Sequence, residues 1–292
     1  MTAIIELLRE GPTFSFEFFP PKDDLEQSRL QQTIAELQPL DPSFVSVTYR
    51  GGRSSRERTT AVVRDMKRAT NLTPMPHLTC VCHSRAELVE IVGEFQAAGL
   101  ENLLALGGDP VEDGEGEARE LAHAIELVEL ARSLGTTSIG VAAHPAGHPS
   151  AASISDDRNH LAEKLRAADF AITQFFFHVD DYLRLVEDLG DRGVDKPVVA
   201  GIMPITNLNS IARMASLSGV AVPSEVTDRL QPLEGNPNEF RKAGIEIATR
   251  LCQDLLEAGV PGLHFYTLNF SKATREIYDA LAPVRVRPGD RQ

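Results

Sequence analysis

The chain of 292 residues has no tryptophan, four tyrosines and only 6% aromatic residues. It has three cysteines, Cys80, Cys82 and Cys252, too few for a disulfide framework at this length. Cys80 and Cys82 lie two apart in an apolar run, so they are expected as buried thiols on one strand face in a reducing compartment. Positive charge is also scarce. A net charge of −13 excludes the cationic excess that a nucleic-acid backbone or an anionic membrane surface requires. Small anionic ligands stay allowed, because one pocket can gather a few positive groups. There is no uncharged apolar run of roughly 18 residues, so no membrane-spanning helix is expected. The opening MTAIIELLREGP carries acids and no basic segment before a cleavage site, which predicts no signal peptide and a cytoplasmic location. The remainder, 42% hydrophobic and 24% charged, is ordinary for a soluble globular enzyme.

What the chain does have is alternation. Apolar, β-branched or aromatic runs occur at Phe14–Phe19, Phe44–Tyr49, Pro76–Val81 and Asn102–Leu106, then at Ser138–Ala143, Phe170–Phe177, Pro197–Met203 and Gly262–Leu268. Between them, helical spacing covers Leu25–Leu37, Ser84–Ala98, Arg119–Leu134, Asp156–Ala167 and Asn209–Ser218. Ser84 with Glu87 three residues on reads as a capping box. Eight strands alternating with helices over about 250 residues predict a single-domain (β/α)8 barrel. A doubly wound sheet is the second choice, but no G-x-G-x-x-G follows the first run. The long stretch from Asn207 to Pro261 predicts an extra helix around Ser224–Leu230. The acidic Pro110–Glu117 reads as a mobile loop, and the basic Arg285–Gln292 as a disordered tail. The predicted barrel uses nearly all of residues 1–292, so no regulatory domain is expected within them.

In such a barrel, function collects at the C-terminal ends of the strands. Glu17, inside FSFEFF, has Ser15 and Phe19 on its own face by period two. Apolar company raises a carboxyl pKa, which suits a general acid; pairing with a nearby Lys or Arg is the structural alternative. Asp109, in Gly107-Gly108-Asp109-Pro110, follows glycines that let a planar ligand approach the backbone; its carboxylate suits a guanidine-like ring edge or else a loop cap. Gln174 interrupts an apolar run, so its amide orients a ligand or joins an internal network. The histidines of His77–His83 and of His144–His148 match no zinc spacing, and no metal site is expected.

These blocks, in this order, closely resemble the methylenetetrahydrofolate reductase family. They are FSFEFFPPK at Phe14–Lys22, FVSVTY at Phe44–Tyr49, PHLTC at Pro76–Cys80 and GGDP at Gly107–Pro110. HPAGHP at His144–Pro149, AITQFFF at Ala171–Phe177, GIMPITN at Gly201–Asn207 and HFYTLN at His264–Asn269 complete the set. The resemblance implies a barrel in which NAD(P)H reduces a bound FAD, which then reduces 5,10-methylenetetrahydrofolate. It makes Glu17 the acid that protonates N10 and opens the five-membered ring to a 5-iminium cation. It makes Asp109 the grip on the pterin, Gln174 the orienting amide, and Tyr266 a neighbour of the folate. Thr48, His77, His144, His148, Asp157, His160 and Lys164 fall at cofactor-binding positions.

Departures from the family pattern carry their own expectation. Gly107 stands where the family has an Arg that helps hold FAD, and His144 replaces a flavin-contacting Tyr. His160 and Glu163 replace an Asn and an Arg in the following helix, and Leu208 replaces an aromatic that packs on the nicotinamide. Each lost charge-assisted bond costs roughly 1.5–3 kcal/mol, so FAD binding is expected to be weak or absent. Hydride would then pass directly from the nicotinamide, with NADH the expected donor over NADPH, although no Rossmann acidic residue or Arg is present to read. The rival readings are a pterin-binding barrel of methyltransferase type, a non-catalytic folate binder, and another flavin barrel such as a proline dehydrogenase relative. The family often forms oligomers, so a homo-oligomer is compatible with the chain, but nothing in it marks an interface.

Overall fold

The computed structural model describes residues 2–49, 53–108 and 120–281. Helix α1 (Ile4–Glu10) leads into β1 (Thr13–Phe18), α2 (Asp24–Leu37), β2 (Phe44–Val47), α3 (Arg53–Ala69), β3 (Pro74–Thr79), α4 (Arg85–Ala97) and β4 (Asn102–Leu106). There follow α5 (Ala124–Ser133), β5 (Ser138–Ala143), α6 (Ile154–Ala167), β6 (Phe170–Thr173), α7 (Val179–Asp191) and β7 (Val198–Ile202). The chain continues through α8 (Leu208–Ser218), α9 (Ser224–Leu230), α10 (Pro237–Glu257), β8 (Gly262–Tyr266) and α11 (Ser271–Ala280). The strands pair in parallel in sequence order, and β8 closes on β1, giving the (β/α)8 barrel. Glu17 lies opposite Ser46 on one side and Tyr266 on the other.

Alternation along each strand sorts its side chains between two regions. On β1, Phe16 and Phe18 join the apolar shell between barrel and helices, while Ser15 and Glu17 make their contacts inside the barrel. The lower interior is dry. Phe44, Met75, Leu104, Phe170, Ile172 and Val199 form one buried cluster with Ile4 and Leu8 of α1. Ile4 and Leu8 are one helical turn apart, so a single face of α1 covers the N-terminal mouth. The open N–H groups of its first turn go to the Asn102 and Ser138 side chains at the starts of β4 and β5. Gly140 makes room for this packing, since a Cβ there would come within 2.7 Å of the Phe170 ring.

The local signals hold at α4, where both halves of the Ser84–Glu87 capping box form, and at α9, which occupies the expected span. Several boundaries differ, and three of them show why. β6 ends at Thr173, short of Phe177: the Gln174 N–H still donates to the Ala143 carbonyl, but Gln174 Oε1 takes the next N–H, and Phe175 and Phe176 pack into separate clusters. β3 ends at Thr79 and Cys82 adopts a left-handed φ of 66°, so Cys80 and Cys82 do not share a strand face, although both thiols are buried. Helix α5 begins at Ala124, where the Glu126 carboxylate accepts the His123 N–H, rather than at Arg119. The Pro110–Glu117 loop and the Arg285–Gln292 tail lie outside the described residues. No helix among the described residues is long and apolar enough to cross a membrane.

If α1 is the floor of the barrel rather than a surface appendage, Ile4→Ala should cost roughly 2–5 kcal/mol of stability, the range for emptying a buried aliphatic site. Urea unfolding measures this directly. A loss under about 0.5 kcal/mol would mean that the barrel closes without it.

Candidate active site

Above the apolar floor the interior turns polar. Glu17 is 8% exposed, and its Oε2 lies 3.4 Å from Ser46 Oγ, 3.4 Å from His77 Nε2 and 3.5 Å from His264 Nε2. Among the described residues its close basic neighbours are the two histidines, with no Lys or Arg ion pair. His264 is itself fixed: Ser15 Oγ sits 2.7 Å from Nδ1, Ser46 Oγ 3.2 Å from Nε2, and the ring stacks on Phe44. Burial, helped by the nearby His264, pushes the His77 imidazole down to about 4, against the opposing pull of Glu17. His77 is therefore neutral near pH 7. Its Nε2 is buried without a hydrogen bond, because the approach to Glu17 is close but poorly directed.

The end of β8 builds one wall. The Tyr266 hydroxyl donates to the Thr173 carbonyl at 2.5 Å, so the ring spans β7. Gly201 makes that crossing possible, since a Cβ there would lie 2.8 Å from the ring and 2.2 Å from the Thr173 oxygen. Burial and the proximity of Glu17 hold the phenol well above its ordinary pKa, so it stays protonated. Beyond Tyr266, Thr267 Oγ1 donates to the Glu17 carbonyl at 2.6 Å. The Asn269 amide accepts the Phe19 N–H at 2.9 Å and donates to the Phe19 carbonyl at 3.0 Å.

A second group gathers where β5 runs into α6. The His144 and His148 rings meet edge to face at 4.7 Å. Burial, with His148, Lys164 and Arg158 nearby, lowers the His144 pKa to about 3, leaving a neutral ring. Lys164 Nζ donates to the Ala142 carbonyl, and burial lowers its pKa while Asp157 opposes the shift. The Asp157 carboxylate accepts from the buried Arg158 at 2.6 Å. Arg158 spends its other donors on Asp188 and the His144 and Pro145 carbonyls. His160 and Glu163 are exposed on α6.

Of the other expected site residues, Thr48 follows β2 directly, with its Oγ1 buried and unpartnered. Gln174 stands just past β6, its Oε1 taken by the Phe175 N–H, which leaves Nε2 as the end free for a ligand. Asp109 lies outside the described residues. Gly108, with φ of 81°, lies so close to Val81 and Thr79 that a Cβ would clash; it serves the packing of the turn. The structure thus brings Glu17, His77 and Tyr266 together and places His144, His148, Asp157 and Lys164 in a neighbouring group. Sequence reasoning missed Ser46 and His264, and assigned no role to Thr267 and Asn269 at the end of the last run. Period two would have found Ser46 and His264, which share register with Glu17 and Ser15; the two side-chain clamps leave no such signal. No three His, Cys, Asp or Glu side chains among the described residues come together as a metal site.

The two depressed histidines make stability pH-dependent. The unfolded chain protonates them near 6.5, whereas the folded protein resists until about 4 for His77 and about 3 for His144. Their contribution is intact above pH 6.5 and falls as pH drops through that window, by up to about 1.4 kcal/mol per unit per histidine. Urea unfolding between pH 7 and 4.5 should show a shallower decline for His77→Asn than for the unsubstituted protein. Parallel curves would mean that His77 is solvated.

Comparison with known proteins agrees with this architecture. A family model described as methylenetetrahydrofolate reductase matches residues 2–282. The 5,10-methylenetetrahydrofolate reductase of Pectobacterium carotovorum is 37% identical over 276 residues, covering 94% of this chain and 90% of that one. The Escherichia coli protein of the same name is 35% identical over 277 residues, covering 94% and 91%. Methylenetetrahydrofolate reductase 1 of Schizosaccharomyces pombe is 34% identical, but its match takes in only 46% of that longer chain. Among solved structures, an uncharacterized Clostridium thermocellum protein that binds two copies of 5-methyl-5,6,7,8-tetrahydrofolic acid superposes with a TM-score of 0.71. At 12% identity over 98% of this chain and all of that one, it supports the fold alone. With the family model spanning nearly every residue and relatives above 30% identity along the same length, the chain belongs to the methylenetetrahydrofolate reductase family.

Proposed function

We propose that this protein reduces 5,10-methylenetetrahydrofolate to 5-methyltetrahydrofolate, with Glu17 as the general acid and NADH as hydride donor. The observation that carries the reading is the Glu17 carboxyl at the C-terminal mouth of the barrel, set among the Ser46 hydroxyl and the His77 and His264 imidazoles, with no Lys or Arg paired to it among the described residues. Glu17 gives its proton to N10, the bond from N10 to the bridging methylene opens, and the positive charge moves to the N5 iminium. The carboxylate left behind is then within reach of the Ser46 hydroxyl and of His77 and His264, donors that a charged acceptor draws tighter. Hydride adds to the methylene carbon and makes the methyl group. Gln174 presents Nε2 to the pterin, Tyr266 supplies an apolar face, and Asp109 is proposed to grip the pterin edge. Thr48 Oγ1 and His77 Nε2, both buried without partners, are placed for polar atoms of a ring that enters the mouth.

The family's flavin is not well served by the phosphate-facing residues. A pyrophosphate needs fixed donors and positive charge. His144 is neutral, His160 and Glu163 point to solvent, Asp157 is engaged by Arg158, and the half-buried Lys164 already donates to a backbone carbonyl. These arrangements support weak or absent FAD binding and direct transfer from the nicotinamide. A reductant that binds transiently tolerates a Kd many-fold weaker than a resident cofactor does, and so needs fewer such contacts. A second reading, a folate-binding barrel without redox chemistry, draws on the folate-binding Clostridium thermocellum neighbour; it predicts folate binding without NADH consumption.

Extensively dialysed protein should oxidise NADH on addition of 5,10-methylenetetrahydrofolate at a rate that added FAD does not change. Turnover only with FAD would restore the flavin carrier, and no turnover under either condition would favour the binding reading. In the same assay Glu17→Gln, which keeps the shape and removes the proton, should lose at least ~10²-fold in kcat. Survival of turnover would make Glu17 structural.

A further inference from the structure

The regular ladder between β1 and β8 stops at the pairing of Glu17 with Tyr266. Past that point the two strand ends stay joined by side chains standing in for backbone. Thr267 Oγ1 donates to the Glu17 carbonyl at 2.6 Å and accepts the Asn269 N–H at 3.1 Å. The Asn269 side chain makes a two-way bridge to the Phe19 backbone, and the Asn269 carbonyl accepts from Thr33 of α2 at 2.9 Å. To reach these partners the chain places two consecutive non-glycine residues, Leu268 and Asn269, in the left-handed region at φ of 51° and 59°. Asparagine tolerates this conformation; leucine does so rarely. Backbone held there needs surroundings that over-determine it, and such residues concentrate at sites where geometry matters.

We propose that Thr267 and Asn269 are positioning residues, fixing the backbone on both sides of Phe18 so that the Glu17 carboxyl is held at one place in the mouth. The proposal rests on Glu17 being the acid. Between the two clamped groups the Phe18 carbonyl accepts the Thr48 N–H at 2.9 Å, so β2 holds one side of this strand end and the clamp from β8 holds the other. Without the clamp, the strand end gains freedom and the carboxyl loses its fixed relation to N10, a displacement of the kind that costs about 10²-fold in rate without touching the chemistry directly.

The test is a double-mutant cycle in the full chain: Thr267→Val, Glu17→Gln and both together, with kcat for folate-dependent NADH oxidation, KM for each substrate and the melting temperature. Thr267→Val should lower kcat roughly 10- to 100-fold with KM for NADH unchanged, and Thr267→Ser, which restores the hydroxyl, should recover most of it. In the Glu17→Gln background Thr267→Val should add less than about 3-fold, because the group it positions is already gone. Full loss in both backgrounds would show a merely structural role, and wild-type kcat in folded Thr267→Val would remove the clamp from the mechanism; either overturns the proposal while leaving Glu17 as the acid. Activity in Glu17→Gln alone would instead sink the acid, and the positioning proposal with it. Should Thr267→Val not fold, Asn269→Asp keeps the left-handed preference and the acceptor for Phe19 N–H, removes the donor to its carbonyl, and should show the same loss and the same non-additivity.

Discussion

Closing eight parallel strands takes every inward side chain out of water, and polar groups placed there must find partners or lie unsatisfied. The chain meets this constraint by stacking. Phe44, Phe170 and their neighbours make a dry floor that α1 seals, and His264 lies flat on Phe44 as the first polar group above it. Ser15 and Ser46 then fix that imidazole, and Glu17 comes to rest against Ser46, His77 and His264. The carboxyl ends up beside a hydroxyl and two imidazoles, a setting in which, on the proposed mechanism, a proton is given up to a bound nitrogen and the resulting charge still meets hydrogen bonds. Floor, imidazole and acid depend on one another in that order.

The same economy of charge shapes the neighbouring group at β5 and α6. Among the described residues there, the buried Arg158 gives four hydrogen bonds, to Asp157, Asp188 and two carbonyls. That network ties the His144 and Pro145 carbonyls to α6 and occupies one oxygen of Asp157. On the proposed mechanism, proton transfer from Glu17 makes no demand on this region, so the two groups can differ independently.

Much of this was legible before any coordinates. The eight runs gave the barrel because strand period and helix spacing alternate cleanly, and Glu17 stood out because a carboxylate in FSFEFF has no apolar reason to be there. Boundaries failed where tertiary packing outbid pattern: the aromatic run after Thr173 looks like strand, yet Phe175 and Phe176 are drawn into different clusters. Helix α1 escaped notice because seven residues give too short a window for periodicity, and its meaning depends on the barrel it covers. The Thr267–Asn269 clamp is invisible to patterning for another reason. Its bonds join residues about 250 positions apart, and threonine and asparagine after a strand read as an ordinary turn.

The central claim is that a folate activated by Glu17 takes its hydride straight from the nicotinamide. NADH deuterated at C4, incubated in ordinary water with 5,10-methylenetetrahydrofolate and dialysed protein, tests it most directly. Product whose new methyl group retains one deuterium per turnover is the predicted result. Product carrying hydrogen from water instead would mean an exchangeable carrier stands between donor and folate, and would contradict the account.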